Sequence, residues 1–155
     1  MNAASSQLSK DKIVLLVEDN FDHATMVTRV LLRQPLPKRV IHLTDGEAAI
    51  DYLLRQGAFR DPSLSPRPDV VLLDLRLPRM DGLNVLRMAK DNDELCDIPI
   101  VVLSSSAASM DMAKAYRHRA NSYLVKPLDY FQFVQTLETI SEYWLVQNKT
   151  QTSGT

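Results

Sequence analysis

The chain has few of the features that mark out whole classes of protein. A single cysteine, Cys96, rules out an internal disulfide bond and a cysteine-based metal cluster, which fits a reducing compartment. The 18 basic and 19 acidic residues leave a formal net charge of -1, so the chain has no overall attraction for nucleic acid or anionic membranes. We therefore expect neither a nucleic-acid partner nor a membrane partner.

Long apolar segments are absent as well. The first apolar run, residues 13–17, is too short for a signal-peptide core or a membrane span, so we expect a cytoplasmic protein. The 155 residues, 45% of them hydrophobic, suffice for one substantial core. One domain is predicted at residues 11–147, between flexible segments at residues 1–10 and 148–155.

Five short apolar runs are present, and stretches with helical periodicity separate them. Runs of Val, Ile and Leu without alternation are typical of strands covered on both faces, and the intervening helices would supply the cover. This (βα)5 pattern predicts a doubly wound α/β domain around a central five-stranded parallel sheet. The runs are residues 13–17, 40–43, 70–73, 100–103 and 123–125.

The helices are predicted from apolar spacing and from residues that begin or end helices. The first helix carries Phe21 and Leu31 on one face and ends before Pro35. Ser109 is the predicted N-cap of the fourth helix. The remaining predictions are helices at residues 46–54, from 81–82 onward, at 109–119 and at about 129–146, and a polar, proline-rich loop at 55–68.

Charged and polar side chains follow four of the apolar runs. Glu18 and Asp19 follow the first run, Asp74 the third, Ser104 the fourth and Lys126 the fifth. The carboxyl ends of parallel strands lie along one edge of a sheet, so these side chains should converge. Three close carboxylates repel one another unless a cation lies among them, and such oxygen ligands suit Mg2+. A magnesium site is therefore predicted.

The same side chains suit phosphoryl transfer. Lys126 can hold a negative oxygen as a compact charge, Ser104 can donate a hydrogen bond to another oxygen, and Asp74 can act as the nucleophile. Each residue alone also has an ordinary interpretation: Glu18 or Asp19 could cap the first helix, Ser104 could lie in a loop, and Lys126 could be a solvated surface charge. Their shared edge favours the common site.

Four motifs in this order resemble the receiver domain of response regulators. They are Val-Glu-Asp-Asn at 17–20, Asp-Leu-Arg-Leu-Pro-Arg-Met-Asp-Gly at 74–82, Pro-Ile-Val-Val-Leu-Ser-Ser at 99–105 and Tyr-Leu-Val-Lys-Pro at 123–127. The resemblance covers about residues 11–147. It implies a flavodoxin-like fold with strand order 2-1-3-4-5 and a place in a two-component phosphorelay.

The resemblance also implies roles for individual residues. Asp74 would accept a phosphoryl group from a phosphohistidine on a sensor histidine kinase, assisted by Lys126. Glu18, Asp19 and Asp74, with the backbone carbonyl of Arg76, would hold Mg2+. The protein would then be a phosphoacceptor and not an enzyme that turns over an external substrate.

Three further expectations come from the family. Ser104 and Tyr123 would form the switch pair, and the Lys126–Pro127 peptide bond would be cis. Ser104 stands where many receivers have threonine, a change that keeps the hydroxyl. Arg76 and Ser106 occupy positions associated in this family with the lifetime of the acyl phosphate.

A narrower resemblance rests on the loop at residues 55–68 and on the segment at 140–145. Both are similar to single-domain regulators that partner bacterial phytochrome histidine kinases. After Lys126 the chain has residues for a last helix and a short tail, so we expect no output domain and signalling by protein–protein binding.

The last predicted helix has an apolar arc broader than a helix covering a sheet requires. This excess predicts a homodimer through the fourth helix, the fifth strand and the fifth helix, with Phe133, Ile140, Tyr143 and Trp144 at the interface. The alternative is that the excess packs against the first helix and the tail.

Two other functions are compatible with parts of the pattern. A Mg2+-dependent phosphatase or hydrolase with an aspartate nucleophile would need an acid–base carboxylate just beyond the nucleophile, where this chain has Arg76. A receiver-like adaptor that works without phosphorylation would not need Asp74, Lys126 and the acidic pair.

Overall fold

A parallel sheet of five strands in the order β2-β1-β3-β4-β5 forms the centre of the protein. The computed structural model describes residues 11–148, so the predicted flexible segments at 1–10 and beyond Asn148 lie outside the described residues. The strands are Lys12–Val17 (β1), Lys38–Leu43 (β2), Val70–Leu73 (β3), Ile100–Ser104 (β4) and Ser122–Val125 (β5). The predicted fold class and strand order are confirmed.

Five α-helices connect and follow the strands. They are Phe21–Arg33 (α1), Gly46–Leu54 (α2), Gly82–Lys90 (α3), Ser109–Arg117 (α4) and Tyr130–Glu142 (α5). The last helix continues into a π-helical turn at Tyr143–Gln147. The predicted loop at 55–68 contains two short 3-10 turns, Gly57–Phe59 and Pro62–Leu64. None of the helices between residues 11 and 148 combines the length and apolar character that a bilayer span requires.

Both faces of the sheet are covered, as the unbroken apolar runs predict. Alternate residues of β1 enter different cores: Val14 and Leu16 pack with α1 and α5, and Leu15 and Val17 pack with α2 and α3. Burying a valine or leucine side chain of this kind stabilises the fold by about 1.5–3 kcal/mol. The central strands are therefore rigid supports for the residues at their carboxyl ends.

Polar caps begin four of the helices on the carboxyl side of the sheet. Each cap side chain accepts a hydrogen bond from a backbone N–H in the first turn. The caps are Asn20 for α1, Asp45 for α2, Asp81 for α3 and Asp129 for α5.

The predicted cap of the fourth helix is wrong. Ser109 is the first residue of α4, and the N-cap residue, Ala108, has no side chain that could accept the bond. The hydroxyl of Ser106 instead accepts a hydrogen bond from the Ala108 N–H at 3.2 Å. The loop before the helix thus uses a serine earlier in the chain.

Candidate functional site

Residues from three strand ends meet at the carboxyl edge of the sheet. The Lys126 ammonium donates hydrogen bonds to Glu18 Oε1 at 2.5 Å and to Asp74 Oδ2 at 3.1 Å. All three side chains are nearly enclosed, with exposed fractions of 6% for Lys126, 3% for Glu18 and 11% for Asp74. Low exposure strengthens their mutual electrostatic interaction because little water screens the charges.

His23 is a third neighbour of Lys126, one that the sequence pattern does not predict. Its Nδ1 lies 3.3 Å from Lys126 Nζ, so the three N–H donors of the ammonium face three acceptors. Burial lowers the pKa of His23, and the positive charge of Lys126 lowers it further, which favours a neutral imidazole. The usable signal was its place in the first turn of the helix that follows the acidic pair.

Three carboxylates form the second part of the site. Glu18, Asp19 and Asp74 each offer an oxygen, and these oxygens lie within 4.8 Å of one another. One ammonium cannot neutralise three carboxylates, and hard oxygen ligands suit a small divalent cation. The residues therefore fit a divalent metal ion.

Burial controls the ionisation of Glu18. It raises the pKa of this carboxyl group from 4.5 to about 7, against the opposing effect of the Lys126 hydrogen bond and charge, and the charge of Asp74 raises it further. The metal-free protein therefore holds a proton on Glu18 that the unfolded chain releases at lower pH.

This difference predicts that stability depends on pH. Between pH 4.5 and about 7 the folded protein binds more protons at Glu18 than the unfolded chain does, so the Glu18 contribution is complete below pH 4.5 and is lost as the pH rises through about 7. We expect the unfolding free energy in EDTA, measured with urea, to fall across this range in the wild type relative to Glu18→Gln. The prediction would be contradicted if the wild-type unfolding free energy minus that of Glu18→Gln stayed constant or rose with pH.

Backbone contacts hold the second oxygen of Asp74. The N–H of Arg76 donates to Asp74 Oδ1 at 3.1 Å, while Oδ2 faces Lys126. The Arg76 side chain is 77% exposed, and its Nη2 lies 3.9 Å from an oxygen of Asp111. Asp74 is therefore oriented by both of its oxygens.

Ser106 connects the two predicted switch residues. Its N–H donates to Ser104 Oγ at 3.1 Å, and its carbonyl accepts a hydrogen bond from the Tyr123 hydroxyl at 2.8 Å. Ser104 is buried, and the half-buried Tyr123 packs against the core formed with α2, α3 and α4. Tyr123 is thus turned inward in this structure.

The expectation of a cis bond between Lys126 and Pro127 is wrong. No cis peptide bond occurs among residues 11–148. The trans form before proline is favoured by only about 0.5–1 kcal/mol, so the surrounding packing decides the isomer and the dipeptide alone does not.

Two of the predicted interface residues lie in the core. Phe133 and Ile140 are buried against α1 and the sheet, with exposed fractions of 4% and 7%. The apolar arc of α5 faces the sheet at these positions, so they are not available to a partner. Tyr143 is 48% exposed, whereas Trp144 is partly buried against the core that includes α1 and α5, and the two ring centroids lie 4.9 Å apart.

Comparison with known protein families identifies the family of this chain. The family model of the response regulator receiver domain matches residues 14–138. The chain is a response-regulator receiver domain. The predicted family is confirmed, and with it the general class: this receiver is a phosphoacceptor in two-component signalling and not an enzyme with an external substrate.

Individual relatives resemble the receiver over most of its length. The probable methanogenesis regulatory protein FilR2 of Methanothrix harundinacea is 45% identical over 88% of this chain and 86% of its own. The response regulator Rcp1 of Synechocystis is 36% identical over 91% of this chain and 94% of its own, and its Mn2+-bound structure matches with a TM-score of 0.85, 35% identity and coverage of 91% and 99%.

A phosphorylated relative has the most similar backbone of these. The structure of the phosphorylated cyanobacterial phytochrome response regulator RcpA matches this receiver with a TM-score of 0.87 and 34% identity, covering 92% of this chain and 99% of that one. The receiver is thus similar to regulators solved with a divalent metal and in the phosphorylated state.

Proposed function

We propose that Asp74 accepts a phosphoryl group from the phosphohistidine of a sensor histidine kinase and that the receiver signals by binding other proteins. The main support is the environment of the Asp74 carboxylate. It is 11% exposed, is oriented by Lys126 and the Arg76 N–H, and lies beside two further carboxylates. An Asp74 oxygen forms a bond to phosphorus while the bond from phosphorus to the kinase histidine breaks, which leaves an acyl phosphate and an imidazole.

The residues around Asp74 stabilise the charge on the transferred group. Lys126 donates a hydrogen bond to one phosphoryl oxygen, and the Ser104 hydroxyl donates to another. Glu18, Asp19 and Asp74, with the Arg76 carbonyl, would hold Mg2+, which when bound supplies neutralising charge to the phosphoryl oxygens.

Phosphorylation of Asp74 changes the conformation of the loop that follows β4. A phosphoryl group adds negative charge and strong acceptors, which draw the Ser104 hydroxyl toward Asp74. Ser106 is hydrogen-bonded to both Ser104 and Tyr123, so movement at Ser104 alters the anchorage of Tyr123. The surface formed by α4 and β5 changes as a result.

The kinase we propose is a bacterial phytochrome. The similarity to Rcp1 and to the phytochrome response regulator RcpA supports this choice. FilR2, the probable methanogenesis regulator, is not described as a phytochrome partner, so a histidine kinase that is not a phytochrome is the necessary comparison.

The test of the function is stoichiometric phosphorylation. The receiver is incubated with acetyl phosphate and Mg2+, and its intact mass and the modified peptide are measured. We expect one phosphoryl group, on Asp74. No gain in mass, or a phosphoryl group on a residue other than Asp74, would overturn the proposal. Phosphotransfer from a phytochrome kinase should exceed transfer from a histidine kinase that is not a phytochrome.

The receiver is also proposed to form a homodimer through α4, β5 and α5. Strand β5 lies at an edge of the sheet, and apolar side chains near it are exposed. They include Met110 and Tyr116 on α4, Val125 and Leu128 at and after the end of β5, and Phe131 at the start of α5.

We expect Phe131→Glu to weaken the dimer by about tenfold or more. Phe131 is 77% exposed, and burying a glutamate carboxylate there in the interface would carry a large desolvation penalty. Glutamate suits the first turn of a helix, so the fold is retained. Light scattering with size-exclusion chromatography measures the change. Leu64→Glu is the matched control, since Leu64 is 60% exposed on a different surface. A monomeric wild type, or equal loss in both variants, would contradict this interface.

A further inference from the structure

Asp111 connects two loops that flank the acceptor. It lies in the first turn of α4, and its side chain is 26% exposed. One oxygen, Oδ2, accepts a hydrogen bond from Ser106 Oγ at 2.6 Å and lies 3.9 Å from Arg76 Nη2. A single carboxylate oxygen therefore interacts with both residues.

The two partners of Asp111 belong to different sides of the cleft. Arg76 follows β3, two residues after Asp74, and Ser106 follows β4, two residues after Ser104. Arg76, Asp111 and Asp19 line a cavity of about 420 Å3 beside the acceptor. Attraction between the guanidinium and Asp111 therefore draws Arg76 across this cavity toward α4.

Ser106 is held through each of its polar groups. Its N–H donates to Ser104, its carbonyl accepts from Tyr123, and its hydroxyl accepts from the Ala108 N–H while donating to Asp111. With its proton committed to Asp111, the Ser106 hydroxyl does not donate to a water molecule in the cleft. Asp111 thus fixes the orientation of the Ser106 hydroxyl and provides the negative charge that faces the Arg76 guanidinium.

We propose that Asp111 is a positioning residue that slows hydrolysis of phosphorylated Asp74. The proposal rests on the proposed function. In this hydrolysis a water oxygen bonds to phosphorus, the bond from phosphorus to the Asp74 oxygen breaks, and the products are the Asp74 carboxylate, inorganic phosphate and a proton taken up by solvent. Arg76, drawn across the cavity, restricts the approach of the water, and Ser106, bonded to Asp111, does not orient it.

The two functions of Asp111 are separable by substitution. Asp111→Asn keeps an oxygen that accepts from Ser106 but removes the charge that attracts Arg76. Asp111→Ala removes both. We expect Asp111→Asn to speed the first-order loss of the phosphoryl group roughly two- to fivefold, since an exposed ion pair contributes modestly, and Asp111→Ala to speed it further.

The experiment phosphorylates each protein with acetyl phosphate and Mg2+, removes the donor, and follows the intact mass with time. The rate of phosphorylation and the thermal unfolding midpoint are measured alongside, because a general structural defect would change them and a positioning role would leave them close to the wild type. Asp91→Asn is the matched control: Asp91 is exposed and pairs with Arg119 away from the cleft.

A double variant tests the involvement of Arg76. If Asp111 acts through Arg76, then Asp111→Asn adds nothing to the rate in an Arg76→Met background. An unchanged lifetime in both Asp111 variants, or a change equal to that of Asp91→Asn, would overturn the inference while the proposed function stands. A wild type that takes up no phosphoryl group would overturn both.

Discussion

Asp74→Asn is expected to take up no phosphoryl group and, in the absence of metal, to be more stable than the wild type. The amide is not a nucleophile, so uptake from acetyl phosphate should fall to zero in intact-mass measurements. Removing one of three clustered carboxylates also relieves the repulsion among them, and Lys126 keeps its ion pair with Glu18. We expect the unfolding free energy in EDTA to rise by roughly 1–2 kcal/mol.

The opposite signs of the two effects separate lost chemistry from lost folding. Asp81→Asn is the matched control, because it removes one carboxylate at the same edge and asparagine can still cap α3. This control should be phosphorylated like the wild type. Phosphorylation of Asp74→Asn at another carboxylate, or its destabilisation in EDTA, would show that the site is arranged differently.

Gly82→Ala is expected to destabilise the protein by about 3 kcal/mol or more and to slow phosphorylation. A Cβ atom at residue 82 would lie 2.1 Å from the Asp74 carbonyl oxygen and 2.6 Å from Leu75 Cα, so the backbone that carries the acceptor would have to move. The Gly82 N–H also donates to the Leu75 carbonyl at 2.8 Å. Urea unfolding and the rate of phosphorylation measure the two effects.

Gly57→Ala provides the comparison. Gly57 has a φ of 57°, but the nearest atom to the new Cβ, an oxygen of Asp51, would lie 3.5 Å away. The strain should cost only about 1 kcal/mol and leave phosphorylation unchanged. If Gly82→Ala lost no more stability than Gly57→Ala, close packing against the Asp74 backbone would not be the reason for a glycine at position 82.

Local pattern was enough to predict the strands and their ends. The runs at 70–73 and 100–103 are unbroken because both faces of the sheet are covered, and they end where Asp74 and Ser104 reach the edge. Parallel strands bring such ends together whatever the sequence distance. The contact of Lys126 with Glu18 and Asp74 could therefore be anticipated from the order of the elements.

Contacts set by packing between helices were not predictable in the same way. Periodicity identifies an apolar stripe on α5 but does not say which part faces the sheet, so it places Phe133 and Ile140 at an interface although they are buried. Asp111 and His23 are polar residues in first turns, a common place for them, and only tertiary geometry shows which groups they meet.

The three acceptors around Lys126 have a consequence for the direction of transfer. In the resting protein the ammonium has no spare proton, because Glu18, His23 and Asp74 face all three. Once Asp74 carries a phosphoryl group, the lysine exchanges one acceptor for another and its hydrogen-bond count stays the same. A step that conserves its bonds in this way requires little reorganisation forward or backward, so the same pocket suits return of the phosphoryl group to a histidine as well as its capture.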